Sequence, residues 1–396
     1  MNKAKKYIAV FLLVCFCTSC SFWPLSESAE SRVQQLEIAQ IGFNRTGYSL
    51  LSETLQRNYD NLNNGIYQMQ HEISVRGMSE KQMKMVMEYY RADNPQVFWF
   101  SGEYEYNHNV LTQNINSIHI NYSYTDLNTG KQVPYTKETI QEMSDKIQTE
   151  TRIILAGITP EMNDYQKVKY LHDYLATHVA YDSGGNFQHN LYGALVEKRA
   201  VCDGYAFAFQ YLLSLIGIDS RIVYGSADGV GHAWNIVRMD GEYYHVDVTW
   251  DSTADETEPV TYSYFGVTDA FILQNRQVYS PWEGTAEAEN SVYLPIPACT
   301  AIQNNYFVRE DQLITDYQQG GREKISQIAR QALEQGDSSV QVQFSKDQDM
   351  NLFLEEISTH RQAGLEQFPY STETTQVSIL SLDSDNLIII RFKNLS

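Results

Sequence analysis

The chain has 396 residues, 29 basic against 49 acidic side chains, a net charge of −20 and five cysteines. So acidic a surface argues against nucleic acid and against adsorption to anionic lipid, because both would repel it. Five cysteines in this length exclude a disulfide-stapled scaffold, and the length is ample for two or three cores.

The first segment, MNKAKKYIAVFLLVCFCTSCSFWP, sets three lysines before an apolar run from Tyr7 to about Thr18. That run is too short for a spanning helix and has the form of an export signal. Thr18 and Ser19 ahead of Cys20 resemble a bacterial lipobox, although Cys17 stands where Leu is usual. Cleavage after residue 19 and diacylation of the Cys20 sulfur are therefore expected, with an ordinary secretory signal as the other reading. The lipidated form would sit outside the cytoplasm, held to the outer face of a bacterial membrane through its N-terminal lipid only. Loss of residues 1–19, which hold three lysines and no acid, takes the balance from −20 to −23 and leaves Cys202 and Cys299 as the cysteines beyond Cys20.

Residues 20–45 lack a sustained apolar period and read as lipid anchor and tether. Residues 46–150 read as a mixed α/β domain. In MSEKQMKMVMEYYRADNP, Ser79 and Gln82 form a capping box, and Met83, Val86, Met87 and Tyr90 make an apolar stripe that stops at Asn94-Pro95. SIHINYSYTD alternates Ile118, Ile120, Tyr122 and Tyr124 against polar partners, which predicts a half-buried strand. Ile140, Met143, Ile147 and Ile154 mark one helix, and Val168, Leu171, Leu175 and Val179 mark the next. His172 and His178 on that second helix are six apart, off a common face, and read as surface or core-edge residues. With no His-Glu-x-x-His helix and no paired cysteines, no metal is expected, and without a phosphate loop no cofactor either.

EKRAVCDGYAFAFQYLLSLIG puts Cys202 at the first turn of a helix anchored by Phe209, Leu212, Leu213 and Ile216. Unsatisfied N–H groups and the positive end of the helix dipole favour the thiolate there, which is the nucleophilic form. Gly204 allows close backbone approach. A buried small hydrophobe is the competing reading from this stretch alone. GSADGVG, residues 225–231, reads as a mobile loop bordering a cleft.

GHAWNIVRMDGEYYHVDVTWD contains two strand patterns around Asp240-Gly241, a two-residue hairpin signal. Partners across that turn sum to 481, so Trp234 faces Asp247 and His232 faces Thr249. His232, Trp234, Ile236, His245, Asp247 and Thr249 then share one face, with His232 and Asp247 as diagonal neighbours. Tyr244, Val246, Val248 and Trp250 take the other, core-facing side. Either polar residue alone could be an ordinary sheet residue. Together with Cys202 they form the parts of a thiol mechanism, in which Cys202 attacks a carbonyl, His232 moves its proton and Asp247 fixes the imidazole. The Cys202 N–H would meet the oxyanion, and a tyrosine such as Tyr181 or Tyr192 could supply a second donor, although strand packing is the commoner role for these rings.

Residues 284–396 read as a further α/β unit: a helix in GREKISQIARQALEQG, a strand in SVQVQF, a helix in KDQDMNLFLEEISTHR, and a hairpin turning at Asp383–Asn386. The preceding boundary falls near SPWEGTAEAENSVYLPIP. Cys299 has no His or Asp motif beside it and reads as structural.

AVCDGYAFAFQYLL, GHAWNIV and YHVDVTWD resemble the three core motifs of the transglutaminase-like superfamily. KYLHDYLATHVAYD, LYGALVEKRA and YFGVTDAF also resemble family segments, so the resemblance spans roughly residues 160–283, within a domain at 151–283. It implies an α+β fold with a papain-like transglutaminase core, the nucleophile helix packed on an antiparallel sheet, flanked by α/β domains. It further implies Cys202 as nucleophile, His232 as general base and Asp247 as orienting acid. Ser252 after Asp251 departs from the second Asp that many members carry, with no consequence for the triad. The implied partner is a protein or peptide substrate acted on through a thioester, and the expected surface location adds envelope proteins and cell-wall peptide as candidates. A catalytically silent surface scaffold is the alternative.

Overall fold

A computed structural model gives the fold of residues 45–109, 112, 114–253, 259–278, 294–362 and 375–394. The export segment with Cys20, the tether to residue 44, and residues 279–293 of the expected boundary lie outside the described residues.

The N-terminal layer begins with α1 (Thr46–Leu50) and α2 (Glu53–Tyr67), then β1 (Glu72–Met78) and α3 (Glu80–Asp93). The Ser79–Gln82 capping box starts α3, and its stripe residues Met83, Val86, Met87 and Tyr90 are buried. β1 pairs antiparallel with β3 (Ile115–His119), which also carries β2 (Glu105–His108). The single strand predicted for SIHINYSYTD is two. After β3 the chain turns at Ile120–Tyr122 and enters β4 (Ser123–Asp126), which pairs with β5 (Lys131–Pro134) in a separate ribbon. The turn is fixed by Ile120 N–H donating to His71 O and by the Tyr122 hydroxyl donating to Gln70 O, both at 3.0 Å. Alternation of buried side chains persists through the turn, which is why the sequence reads as one strand.

Two long helices follow, α4 (Lys137–Leu155) and α5 (Asp164–His178), each opened by a side-chain cap, Thr136 and Asn163. A parallel two-residue pair, β6 (Ala180–Tyr181) with β7 (Arg199–Ala200), brackets a π-turn at Gly193–Glu197 and delivers the chain to α6 (Cys202–Leu215). α6 lies against an antiparallel five-stranded sheet of β8 (Ser220–Ala227), β9 (Val230–Met239), β10 (Glu242–Val246), β11 (Phe265–Val267) and β12 (Arg276–Val278), in the order β11-β10-β9-β8-β12. A helix led by Cys202 and packed on an antiparallel sheet is the architecture expected from the sequence. Two short helices, α7 (Val248–Asp251) and α8 (Asp269–Ile272), sit in the β10–β11 and β11–β12 connections.

The last unit has α9 (Tyr306–Arg309), β13 (Leu313–Ile314), α10 (Arg322–Gln335), β14 (Ser339–Phe344), α11 (Asp347–Gln362), β15 (Thr375–Leu382) and β16 (Leu387–Asn394). Its sheet runs β13-β14-β16-β15, with the expected hairpin closing at Asp383–Asn386. A core of its own forms around Ile325, Val342, Phe353 and Ile388. The main core is continuous from Leu51 to Leu294 and joins the N-terminal layer to α5, α6 and the five-stranded sheet. Buried Gln210 of α6 crosses that junction: its amide donates to Ala92 O and its carbonyl accepts from Ile222 N–H at 2.9 Å. Among the described residues no helix is long and apolar enough to cross a membrane.

Candidate active site

Cys202 occupies the first position of α6, after Val201 in extended conformation. Val201 N–H donates to Gln188 O at 3.0 Å, tying the helix start to the preceding loop. A Cβ at position 204 would collide with that same Gln188 carbonyl oxygen, so only glycine lets the first turn lie this close. The Cys202 thiol is half-buried, and both Cys202 and Cys299 are free.

The hairpin around Asp240-Gly241 has the expected register: Glu242 pairs with Met239, His245 with Ile236 and Val246 with Asn235. Both turn residues have positive φ, 52° and 93°. The ladder ends at Val246, three residues short of the Thr249 that the pattern sets opposite His232. Asp247 leaves the strand and caps α7, its Oδ1 accepting from Trp250 N–H at 3.2 Å. Thr249 and Trp250 therefore lie on a helical turn and not on a strand. Trp250 packs beside Trp234 and Tyr264 instead of joining Tyr244 and Val246 in the core. Residues 225–231 also differ from the mobile loop expected of them. They are no loop: β8 runs straight into β9 through Asp228-Gly229, with φ of 49° and 79°, the same two-residue turn chemistry as Asp240-Gly241.

The structure brings Cys202, His232 and Asp247 together. His232 Nε2–H donates to Asp247 Oδ2 at 2.7 Å, which leaves Nδ1 for the Cys202 thiol. Burial works to lower the His232 pKa, but the charge and hydrogen bond of Asp247, and then those of Cys202, raise it to about 9. The His232 ring stacks on Trp234, with centroids 5.9 Å apart and planes 17° from parallel. Asp247 is fully buried; burial pushes its carboxyl up, and His232 and the Arg276 guanidinium outweigh this to hold it below the usual carboxylate range.

Arg276 is a residue the sequence reading did not single out. Its side chain is fully buried, and Nη2 donates to Asp247 Oδ2 at 2.7 Å, on the oxygen that His232 also uses. The guanidinium lies 4.1 Å from the Tyr264 ring centre and 4.4 Å from that of Trp250. Strand β12 carries it there by pairing Arg276 with Ala227. A Cβ at Gly225 would strike the Gln277 carbonyl oxygen, so this glycine sets how near β12 comes to β8.

A second buried His–Asp pair lies behind the first. His172 is fully buried, contrary to the surface or core-edge position expected for it. Its Nδ1 bonds Asp173 Oδ1 at 3.0 Å and its Nε2 bonds Asp251 Oδ2 at 3.1 Å. With a carboxylate on each nitrogen, both must donate, and the ring is an imidazolium. Burial opposes this, and the two carboxylates raise the His172 pKa to about 9. The two pairs are joined by α7, since Asp251 N–H donates to Asp247 O at 3.2 Å. His178, by contrast, is exposed and stacks on Tyr174.

His245, Asp269 and Cys299 also converge, with candidate ligand atoms within 4.8 Å of one another. The donor chemistry does not suit a metal. Trp234 Nε1–H, which can only donate, points at His245 Nδ1 at 3.0 Å, so the ring proton sits on Nε2 and is given to Asp269 Oδ1 at 2.8 Å. Asp269 Oδ2 accepts from Cys299 N–H at 2.9 Å, and burial, then Asp269, pushes the Cys299 thiol up to about 12. A metal on Nε2 would require an imidazolate, and the cluster is a hydrogen-bonded brace. Of the two tyrosines considered as further donors, Tyr192 packs its ring between Phe98 and Phe187, and Tyr181 is exposed.

The family model of the transglutaminase-like superfamily matches residues 152–248. Over 160 residues the chain is 24% identical to the kyphoscoliosis peptidase of Homo sapiens, and over 161 residues 24% identical to that of Mus musculus. Each match takes in 33% of this chain and 24% of the relative, so the chain spans about a quarter of the length of the curated relatives it matches. A crystal structure of a TGase is similar over 40% of this chain and 46% of that one, at 21% identity and a TM-score of 0.27.

Proposed function

We propose, with the transglutaminase-like core of residues 152–248 as premise, that this protein is a thiol enzyme acting on protein or peptide amides through a thioester. The observation that carries the reading is the alignment of His232 between Asp247 and the Cys202 thiol, with the His232–Asp247 bond at 2.7 Å. Cys202 Sγ attacks the amide carbonyl carbon and its proton passes to His232 Nδ1. The oxyanion is met by the Cys202 backbone N–H, one of the first-turn donors that have no acceptor within the helix. Collapse breaks the C–N bond, His232 returns the proton to the leaving nitrogen, and a Cys202 thioester remains. Attack by an amine on the thioester gives a crosslink, and attack by water gives deamidation or peptide hydrolysis. Asp247 keeps the Nε2 tautomer throughout. Anchored through a lipidated Cys20 on the outer face of the membrane, the enzyme would meet envelope proteins and wall peptides.

The test is the rate of Cys202 alkylation by iodoacetamide against pH, with Cys299 as internal control, repeated in His232→Ala. Fast reaction of Cys202 near neutrality that disappears without His232 supports the enzyme. A Cys202 that follows Cys299, or is indifferent to His232, overturns it in favour of a surface binding protein.

A further inference from the structure

A cavity of about 910 Å³ lies between the N-terminal layer and the start of α6. It takes Asp203 and Phe207 from α6, His189 from the loop before it, and nearly all the rest of its wall from residues 71–135. Asp203 directly follows the thiol residue. Its carboxylate is held by His189 Nδ1 at 3.0 and 3.1 Å and accepts from Gly204 N–H at 3.0 Å. The cavity thus abuts Cys202 through the next residue of the same helical turn.

Two features of the wall indicate what it would hold. First, strand edges border it. β2 ends its sheet and β4 pairs with β5 alone among the described residues, and Glu105 and Ser123–Thr125 from these strands face the space. A free strand edge presents the alternating N–H and C=O groups that an extended chain pairs with. Second, the lining is polar and its charge is lopsided. The carboxylates of Glu103 and Glu105, with Asp203 already paired to His189, share the space with one guanidinium, Arg91, which lies over the Phe207 ring at 5.3 Å, and with the imidazoles of His71 and His119. Such a wall suits neither an acyl chain nor an anion, and the volume is at the upper end of the roughly 300–1,000 Å³ of ligand sites.

We propose that this cavity binds an extended polypeptide segment of neutral or basic character, the one flanking the amide that Cys202 attacks. The β4 edge pairs with its backbone and the carboxylates discriminate against acidic side chains. The proposal rests on the thiol-enzyme reading for its orientation, and it gives the N-terminal layer a part in choosing substrate.

The experiment uses the full chain with Cys202→Ala, so that nothing turns over, and two fluorescein-labelled nonapeptides, three repeats of Gly-Gln-Lys and three of Gly-Gln-Glu. Fluorescence anisotropy should show the lysine peptide binding at least tenfold more tightly. Glu103→Lys with Glu105→Lys should abolish that preference, and Asn121→Trp, which fills the cavity from its exposed rim, should weaken both peptides at least tenfold. Glu323→Lys with Glu334→Lys on α10 makes the same change in net charge far along the chain and should leave binding alone. Absence of binding, preference for the glutamate peptide, or equal binding by the cavity and α10 variants overturns the proposal. Iodoacetamide reactivity of Cys202, measured on the chain that keeps the thiol, with and without His232→Ala, separates the two ideas. Cavity-dependent binding with a thiol indifferent to His232 sinks the enzyme and keeps the site, and the opposite pair of results sinks the site and keeps the enzyme.

Discussion

Asp247 Oδ2 accepts hydrogen bonds from His232 Nε2 and from Arg276 Nη2, both at 2.7 Å. One carboxylate oxygen therefore serves an imidazole that can gain or lose a proton and a guanidinium that keeps its own. Replacing Asp247 by Asn keeps the shape but offers a neutral partner, and the amide can present its N–H to the ring and select the wrong tautomer. Alkylation of Cys202 near neutral pH should fall at least tenfold in Asp247→Asn, and turnover of an amide substrate by about 10³-fold or more. Stopped-flow alkylation alongside circular dichroism checks this; an unchanged rate in a folded variant would remove Asp247 from the mechanism.

Arg276 balances the Asp247 charge, so its loss should leave Oδ2 to His232 alone. In Arg276→Met, which retains bulk between Trp250 and Tyr264, the His232 pKa should move further up. The imidazole proton resonances followed by NMR report this directly. Breaking a buried pair from one side also costs about 3–5 kcal/mol, read from urea unfolding. A purely structural arginine would lower stability and leave the titration where it was.

Gly225→Ala should reproduce the Arg276 effect at a distance. The added methyl meets the Gln277 carbonyl and forces β12 away from β8, drawing the guanidinium off Asp247. The expected signature is the same upward movement of His232 in the NMR titration, with a stability loss of about 1–3 kcal/mol.

His172 gives the protein a pH-dependent brace. Its folded pKa, about 9, is above the unfolded value of 6.5, so the contribution is fully present below pH 6.5 and is lost as pH rises through 9. The Tm of wild type should exceed that of His172→Gln at pH 7, where Asp251, whose carboxyl burial pushes up to about 6, is still largely ionised, with the gap closing by pH 9.5. Differential scanning calorimetry at those two values tests the sign, and a gap that widens with pH refutes it.

Zinc should leave the His245–Asp269–Cys299 cluster untouched, because the Trp234 indole fixes the His245 proton on Nε2. Neither added zinc nor EDTA should move the Tm, while Trp234→Phe should free Nδ1 and cost about 1–3 kcal/mol for the orphaned ring nitrogen.

Much of the site could be read from the chain because its parts are local. Asp240-Gly241 sets a hairpin register by turn chemistry alone, and period-two alternation places His232 and Asp247 on one face. The register failed beyond Val246, where the Asp247 side chain takes a backbone N–H and converts strand to helix, a competition that alternation does not encode. Asp228-Gly229 carries the same turn signal as Asp240-Gly241, masked by the small residues around it. His172 stood inside the Val168–Leu171–Leu175 stripe, which was a sign of burial. Arg276 had no such sign: it sits on a three-residue strand, and what makes it matter is a partner 29 positions away.

The continuous core from Leu51 to Leu294 decides what can be cut away from this protein. A fragment trimmed to residues 152–248 would keep all three residues of the thiol site and lose β11, β12 and the layer that covers α6. Gln210 would have its amide facing solvent in place of Ala92, Asp247 would be without its guanidinium, and the apolar back of α6 would be bare. Such a piece should behave as an aggregating, partly folded chain, so the shortest recombinant version worth preparing starts near residue 45 and continues past β12.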